Sequence, residues 1–80
     1  MTEQDAWDAV RSAVGRIAPD VDPADLVEGA RLRQDLELDS LDLLRVLETI
    51  AQDTGVDVPE DAYGEVSTVQ GLVRYVAGHS

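Results

Sequence analysis

The sequence predicts a small all-α protein, on three observations. Apolar residues recur at spacings of three and four in three separate segments, which is typical of amphipathic helices. Residues that cap or break helices stand between these segments. No stretch of useful length alternates apolar and polar residues as a half-buried strand would. We therefore predict a four-helix bundle, with three main helices, one short helix and a long loop between helices 1 and 2.

The first helix is predicted by an apolar stripe that runs from Trp7 to Ile17. Thr2 and Asp5 have the spacing of a capping box, with aspartate in place of glutamate. Pro19 should end this helix, because the residue before a proline avoids helical conformation.

The predicted long loop covers residues 19–39, which have no clean period and include two prolines and a glycine. Loops of this length are uncommon in compact domains and tend to be functional. We expect its leucines to attach it to the core. They are Leu26, Leu32, Leu36 and Leu38.

The second helix is predicted to begin at Ser40, as its N-cap, and to stop at Gly55. At about 100° per residue, its apolar residues gather on one side. That side holds Leu43, Leu44, Val46, Leu47, Ile50 and Ala51. Leu41 lies on the polar side instead, so we expect a large apolar side chain in solvent next to Ser40.

Two further helices are predicted beyond Gly55. A short third helix should open at Pro59, since proline suits a first helical turn. The fourth should begin at a capping box of Ser67 with Gln70 and end at Gly78. Its buried stripe consists of Val69, Leu72, Val73 and Val76.

Eighty residues suffice for one small domain, which we place at residues 1–80. Seventeen acidic residues against six arginines give a formal net charge of -11, which opposes binding to nucleic acid or anionic membranes. The same charge favours partners with basic surface patches. No signal peptide or membrane-spanning run is visible, so a cytoplasmic location is expected. The start at Met1 favours a freestanding protein.

Enzymatic chemistry is not expected from this composition. The chain has no cysteine and a single histidine beside its C-terminus, so Ser40 has no evident imidazole base. The alternating acids of "DLELDSLDLLRV" lack the turn glycine and final glutamate of a calcium loop. We therefore predict no catalytic residue and no metal site.

The chain resembles the acyl carrier proteins, whose signature is Asp-Ser-Leu at the start of the second helix. The core "LDSLD", the tail "VPEDAYGEVSTVQGLVRYV" and the helix–long loop–helix order all carry this resemblance over nearly the whole chain. It implies a 4′-phosphopantetheine group joined to Ser40 as a phosphodiester, with acyl groups held on its thiol as thioesters. It also implies a monomeric shuttle that meets a phosphopantetheinyl transferase and acyl-loading and chain-processing enzymes.

The resemblance further implies two sets of residues around Ser40. Partner enzymes with basic patches would recognise Asp39, Leu41, Asp42, Arg45 and Glu48. The space that shelters the acyl chain would be lined by Leu43, Leu44, Leu47, Ile50, Val66, Leu72 and Val76.

Two departures from the family pattern stand out. The family commonly has glycine at the position of Glu37, so the backbone approach to Ser40 is expected to differ. Arg45 stands where glutamate is usual, and Ala51 and Gln52 replace acids near the helix end. These changes favour a polyketide or other specialised acyl pathway over general fatty-acid synthesis. Alternatively, Arg45 is a solvated residue with helix-spaced contacts to its neighbours, Asp42 or Thr49.

Two other functions stay open at this point. An aminoacyl or peptidyl carrier of a nonribosomal pathway would usually show Gly-Gly before the serine and less acidity, whereas this chain has Leu38-Asp39. An unmodified acidic interaction domain would use Ser40 only as a helix cap.

Overall fold

The computed structural model describes residues 1–79, so Ser80 of the predicted domain lies outside it. Three α-helices follow one another: α1 (Glu3–Ile17), α2 (Ser40–Thr54) and α3 (Val69–His79). Short 3₁₀ turns occupy Pro23–Asp25 and Glu60–Ala62. Residues 1–79 contain no β-strand, only an isolated bridge within the loops. The all-α class is confirmed.

The predicted short third helix is not confirmed, and the four-helix bundle is therefore not confirmed either. The segment that follows Pro59 forms only the single 3₁₀ turn Glu60–Ala62. Gly64 follows two residues later. So short a segment adds too few hydrogen bonds to offset the cost of starting an α-helix.

The start and end of α1 agree with the sequence prediction. Asp5 N donates to Thr2 Oγ1 over 3.1 Å, and Thr2 N donates to Asp5 Oδ2 over 3.2 Å, which completes the capping box. The helix ends at Ile17, two residues before Pro19. At that end, Arg16 forms an ion pair with Asp53 of α2 over 3.5 Å.

The core lies where α1 packs against both α2 and α3. The predicted stripes of the first and last helices are buried or half-buried as expected. Leu32, Leu36 and Leu38 of the long loop are buried in the same core, and Leu26 is half-buried against it. The leucines therefore attach the loop to the core, as predicted.

Backbone hydrogen bonds also fasten the long loop to the start of α3. Val69 N donates to Ala30 O over 2.9 Å, and Leu32 N donates to Ser67 O over 3.0 Å. Since these main-chain groups pair with each other, they need no water, and the loop is held in register beside α3.

The predicted capping box at the start of α3 is wrong. Thr68 Oγ1 accepts from Gly71 N over 3.0 Å, so Thr68 caps the helix in place of Ser67. The N–H of Gln70 donates instead to Glu28 O of the long loop over 3.0 Å. The loop carbonyl thus satisfies a first-turn donor that the sequence assigned to a side chain.

Glycines in α3 differ in what surrounds them. Gly78 does not end the helix as predicted, because α3 continues to His79. Gly71 packs so closely against the carbonyl oxygen of Glu65 that a Cβ atom there would collide with it.

Among residues 1–79, no helix is both long and apolar enough to cross a membrane.

Candidate functional site

Ser40 is the first residue of α2, and its side chain is exposed. The N-cap is Asp39, whose Oδ1 accepts from Asp42 N over 2.7 Å, while Leu43 N donates to Asp39 O over 2.9 Å. The prediction that Ser40 caps the helix is therefore wrong. Aspartate caps as well as serine does, and its negative charge also suits the positive end of the helix dipole.

Asp39 leaves the Ser40 hydroxyl free of any capping role. That hydroxyl makes no hydrogen bond to another residue within the described part of the chain. The N–H groups of Ser40 and Leu41 are in the first turn, where no helical carbonyl precedes them. An exposed hydroxyl thus lies at a helix N-terminus, beside two backbone donors.

This arrangement fits an anionic phosphodiester on the Ser40 oxygen. Free N–H groups and the helix dipole both favour a phosphate at this end of a helix. The carboxylates of Asp39 and Asp42 oppose it, but Asp39 is exposed and Asp42 half-exposed, so the high dielectric constant of water weakens the repulsion. Ser40 would hold the phosphopantetheine group, and the thiol of that group would supply the thioester chemistry.

Glu37, three residues before Ser40, has a φ angle of 58°. This left-handed conformation favours glycine and is strained for a residue with a Cβ atom. It is therefore the kind of backbone that suits the glycine common in the family. In this chain the glutamate itself adopts the left-handed conformation, and the expected difference in backbone from the family stays a prediction.

Arg31 and Asp35 form a paired turn upstream of Glu37. Asp35 Oδ2 accepts from the backbone N–H of Arg31 over 2.8 Å and from its Nε over 3.2 Å. The second oxygen accepts from Arg31 Nη2 over 3.3 Å. These side-chain and backbone hydrogen bonds from Arg31 lower the pKa of Asp35 below its ordinary value.

Two leucines on α2 are exposed next to Ser40. Leu41 is 54% exposed, as predicted, and Leu44 is 41% exposed, although we predicted it on the buried side. Leu44 follows Ser40 by four residues, so the two share one face of the helix. We call Leu41 and Leu44 the leucine pair.

Charged residues of α2 accompany the leucine pair. Arg45 and Glu48 are exposed, and Asp42 is half-exposed. Arg45 forms no ion pair with any of residues 1–79. Its carbonyl accepts from the Thr49 hydroxyl over 2.8 Å, so the helix-spaced contact is made by the main chain and leaves the guanidinium available.

The remaining candidates for an acyl-chain space lie in or against the core. Leu47, Ile50, Val66, Leu72 and Val76 are buried, and Leu43 is half-buried against them. Leu43 also lines a groove of about 750 Å³ between the long loop and residues 63–68. Sequence reasoning missed this groove, because neither segment has a period that predicts how they meet.

The many carboxylates do not converge on a metal site. Within residues 1–79, no group of three or more acidic or histidine side chains is placed to hold an ion.

The chain is similar to known proteins over most of its length. Residues 8–76 match the family model for the phosphopantetheine attachment site. The acyl carrier protein of Zymomonas mobilis is 34% identical over 59 residues, which cover 74% of this chain and 76% of that protein. The acyl carrier protein of Rubrobacter xylanophilus is 34% identical over 59 residues, 74% of this chain and 73% of that protein. That of Lactobacillus acidophilus is 24% identical over 79 residues, 99% and 98% of the two chains.

The chain belongs to the acyl carrier protein family. It is therefore a carrier and not an enzyme, and it bears a covalently attached 4′-phosphopantetheine. Its partners include a phosphopantetheinyl transferase and acyl-processing enzymes.

Proposed function

We infer that the Ser40 hydroxyl is the point at which 4′-phosphopantetheine is attached. The observation that carries this inference is the division of roles at the start of α2: Asp39 caps the helix, and Ser40 is exposed with no partner within residues 1–79. Ser40 also lies within the span that matches the family model. A transferase can therefore modify Ser40 without disturbing the helix cap.

The residues around Ser40 suit both steps of carrier work. Before modification, the hydroxyl is open to a transferase at the end of a long loop. After modification, the N–H groups of the first turn favour the phosphodiester anion. The arm then holds an acyl group as a thioester, on which successive enzymes can act.

Partner enzymes would dock on the exposed side of α2. The leucine pair supplies apolar contact beside the modified serine, consistent with exposed apolar groups at contact sites. Asp39, Asp42 and Glu48 supply negative charge, and the net charge of -11 would speed encounters with basic patches. Leu44 joins the predicted recognition residues, since it is exposed beside them.

A specialised acyl pathway, such as polyketide synthesis, is favoured over general fatty-acid synthesis by Arg45. Its guanidinium makes the docking side mixed in sign. Arg45→Glu should slow turnover by the protein's own pathway enzymes, while Arg74→Glu, at another exposed arginine without an ion pair in residues 1–79, should not. Equal turnover by both variants would remove this argument.

Other readings of the sequence gain less support. The similar proteins described above are named acyl carriers, which does not favour an aminoacyl or peptidyl carrier. An unmodified interaction domain needed Ser40 as the cap, and Asp39 has that role. A single domain of residues 1–80, a monomeric state and a cytoplasmic location stay predictions.

The attachment is tested by intact-mass spectrometry after incubation with coenzyme A and a broad-specificity phosphopantetheinyl transferase. The protein and Ser67→Ala should each gain one phosphopantetheine group, and Ser40→Ala should gain none. Ser67 is a matched control, because it is also an exposed serine at the end of a loop. Modification of Ser40→Ala would contradict the assignment.

A further inference from the structure

The groove beside Leu43 has one wall close to the proposed attachment site. The long loop contributes residues 31–34 and Leu38, and the opposite wall includes Tyr63 and Ser67. Leu43 of α2 completes it and follows Ser40 by three residues. Side chains at this spacing are neighbours on a helix, with Cβ atoms about 5–6 Å apart. An arm on Ser40 therefore reaches the groove without crossing the protein.

The groove combines an apolar floor with polar edges. Leu32 and Leu38 are buried beneath it, and Leu43 is half-buried at its side. Such a floor suits the methylene groups of an acyl chain. The lining residues Arg33 and Gln34 carry N–H donors.

The charge of the groove is opposite to that of the protein. Seventeen of the 80 residues are acidic, yet none of them lines this groove. Of its two arginines, Arg31 is held by Asp35, whereas Arg33 is exposed and forms no ion pair with residues 1–79. The groove thus presents one cation without a partner carboxylate.

We propose that this groove binds an acyl chain that ends in a carboxylate, with its methylenes on the leucine floor and its carboxylate at Arg33. The proposal rests on attachment at Ser40. An acyl chain that ends in a methyl group would contact the leucine floor but would leave Arg33 without an anion. An exposed ion pair of this kind corresponds to about a two- to fivefold change in the population of bound chain.

The test compares two cargoes of equal length on the same arm. A phosphopantetheinyl transferase transfers the hexanoyl or adipoyl phosphopantetheine arm to the protein from coenzyme A analogues that carry these groups as stable amides, with adenosine 3′,5′-bisphosphate as the leaving group. Intact mass verifies the loading. Amide chemical shifts are then measured against protein whose arm ends in the free thiol. Arg33→Ala and Arg74→Ala are loaded in the same way; both remove one exposed arginine, but only Arg33 lines the groove.

The adipoyl cargo should change the amide chemical shifts of Arg33, Leu43 and Ser67 about two- to fivefold more than the hexanoyl cargo does. Arg33→Ala should abolish that difference, and Arg74→Ala should retain it. Equal shifts for both cargoes, shifts elsewhere in the protein, or a difference that survives Arg33→Ala would overturn the proposal. If no mass is gained, attachment at Ser40 fails, and the groove proposal fails with it; a mass gain without the shift difference overturns the groove proposal alone.

Discussion

Asp39 and Asp42 are joined across the first turn of α2 by a 2.7 Å hydrogen bond from the Asp42 backbone N–H to the Asp39 carboxylate. Ser40 lies between these residues and takes no part in the bond. Asp39 therefore caps the helix, and the proposed modification falls on its neighbour Ser40. Modification of Ser40 need not cost the protein its helix cap.

Asp39→Ala should lower the free energy of unfolding by about 1 kcal/mol, the usual cost of losing an N-cap side chain. Ser40→Ala should change it by no more than about 0.5 kcal/mol, since the hydroxyl has no partner in residues 1–79. Chemical denaturation measures both. A loss for Ser40→Ala as large as that for Asp39→Ala would mean that serine, not aspartate, holds the helix start.

Glu37→Gly should stabilise the protein relative to a matched glycine substitution. It removes the strain of a φ angle of 58°, worth about 1–2 kcal/mol, against the entropy that glycine adds to the unfolded chain. Glu28→Gly removes the same side chain and charge from a loop residue whose φ is not positive. In denaturant unfolding, the free energy of unfolding of Glu37→Gly should exceed that of Glu28→Gly by about 1–2 kcal/mol. Equal values would show that Glu37 carries no strain.

Gly71→Ala should destabilise the protein by about 1–3 kcal/mol, as overpacking does. The added Cβ would collide with the carbonyl oxygen of Glu65, so the turn before α3 would have to move. Gly78→Ala serves as the control in the same helix, because its Cβ would meet no atom within 4 Å. We expect it to be neutral or slightly stabilising by helix propensity. The melting temperature should fall for Gly71→Ala and stay level or rise slightly for Gly78→Ala. A change in the same direction for both variants would contradict the close packing at Gly71.

The Arg31–Asp35 pair should make stability depend on pH. Because folding lowers the pKa of Asp35, its contribution is present above the unfolded carboxyl pKa and is lost as the pH falls through the folded value. Asp35→Asn should therefore melt at a lower temperature than the unchanged protein at neutral pH, and the two should converge in acid. Asp20→Asn, at an exposed aspartate without an ion pair in residues 1–79, should show no such convergence. A constant gap for Asp35→Asn across the range would exclude the pair as its cause.

The helical period and the helix-breaking residues together predicted the all-α class, most of the core and the end of α2 at Gly55. It could not decide between the adjacent capping residues Asp39 and Ser40, because both types cap helices well. Leu44 was misplaced because it lies at the edge of the apolar stripe, where a small helix rotation exposes a side chain. The groove depends on how the long loop meets residues 63–68, and that contact is made by tertiary packing and backbone hydrogen bonds.

The most direct test of the central claim is to locate the added group within the chain. Trypsin should cut after Arg33 and Arg45, and the resulting peptide of residues 34–45 contains Ser40 as its only hydroxyl side chain. After incubation with coenzyme A and a phosphopantetheinyl transferase, we predict that this peptide alone carries the phosphopantetheine mass. The same mass on any other peptide, with residues 34–45 unmodified, would contradict Ser40 as the attachment site.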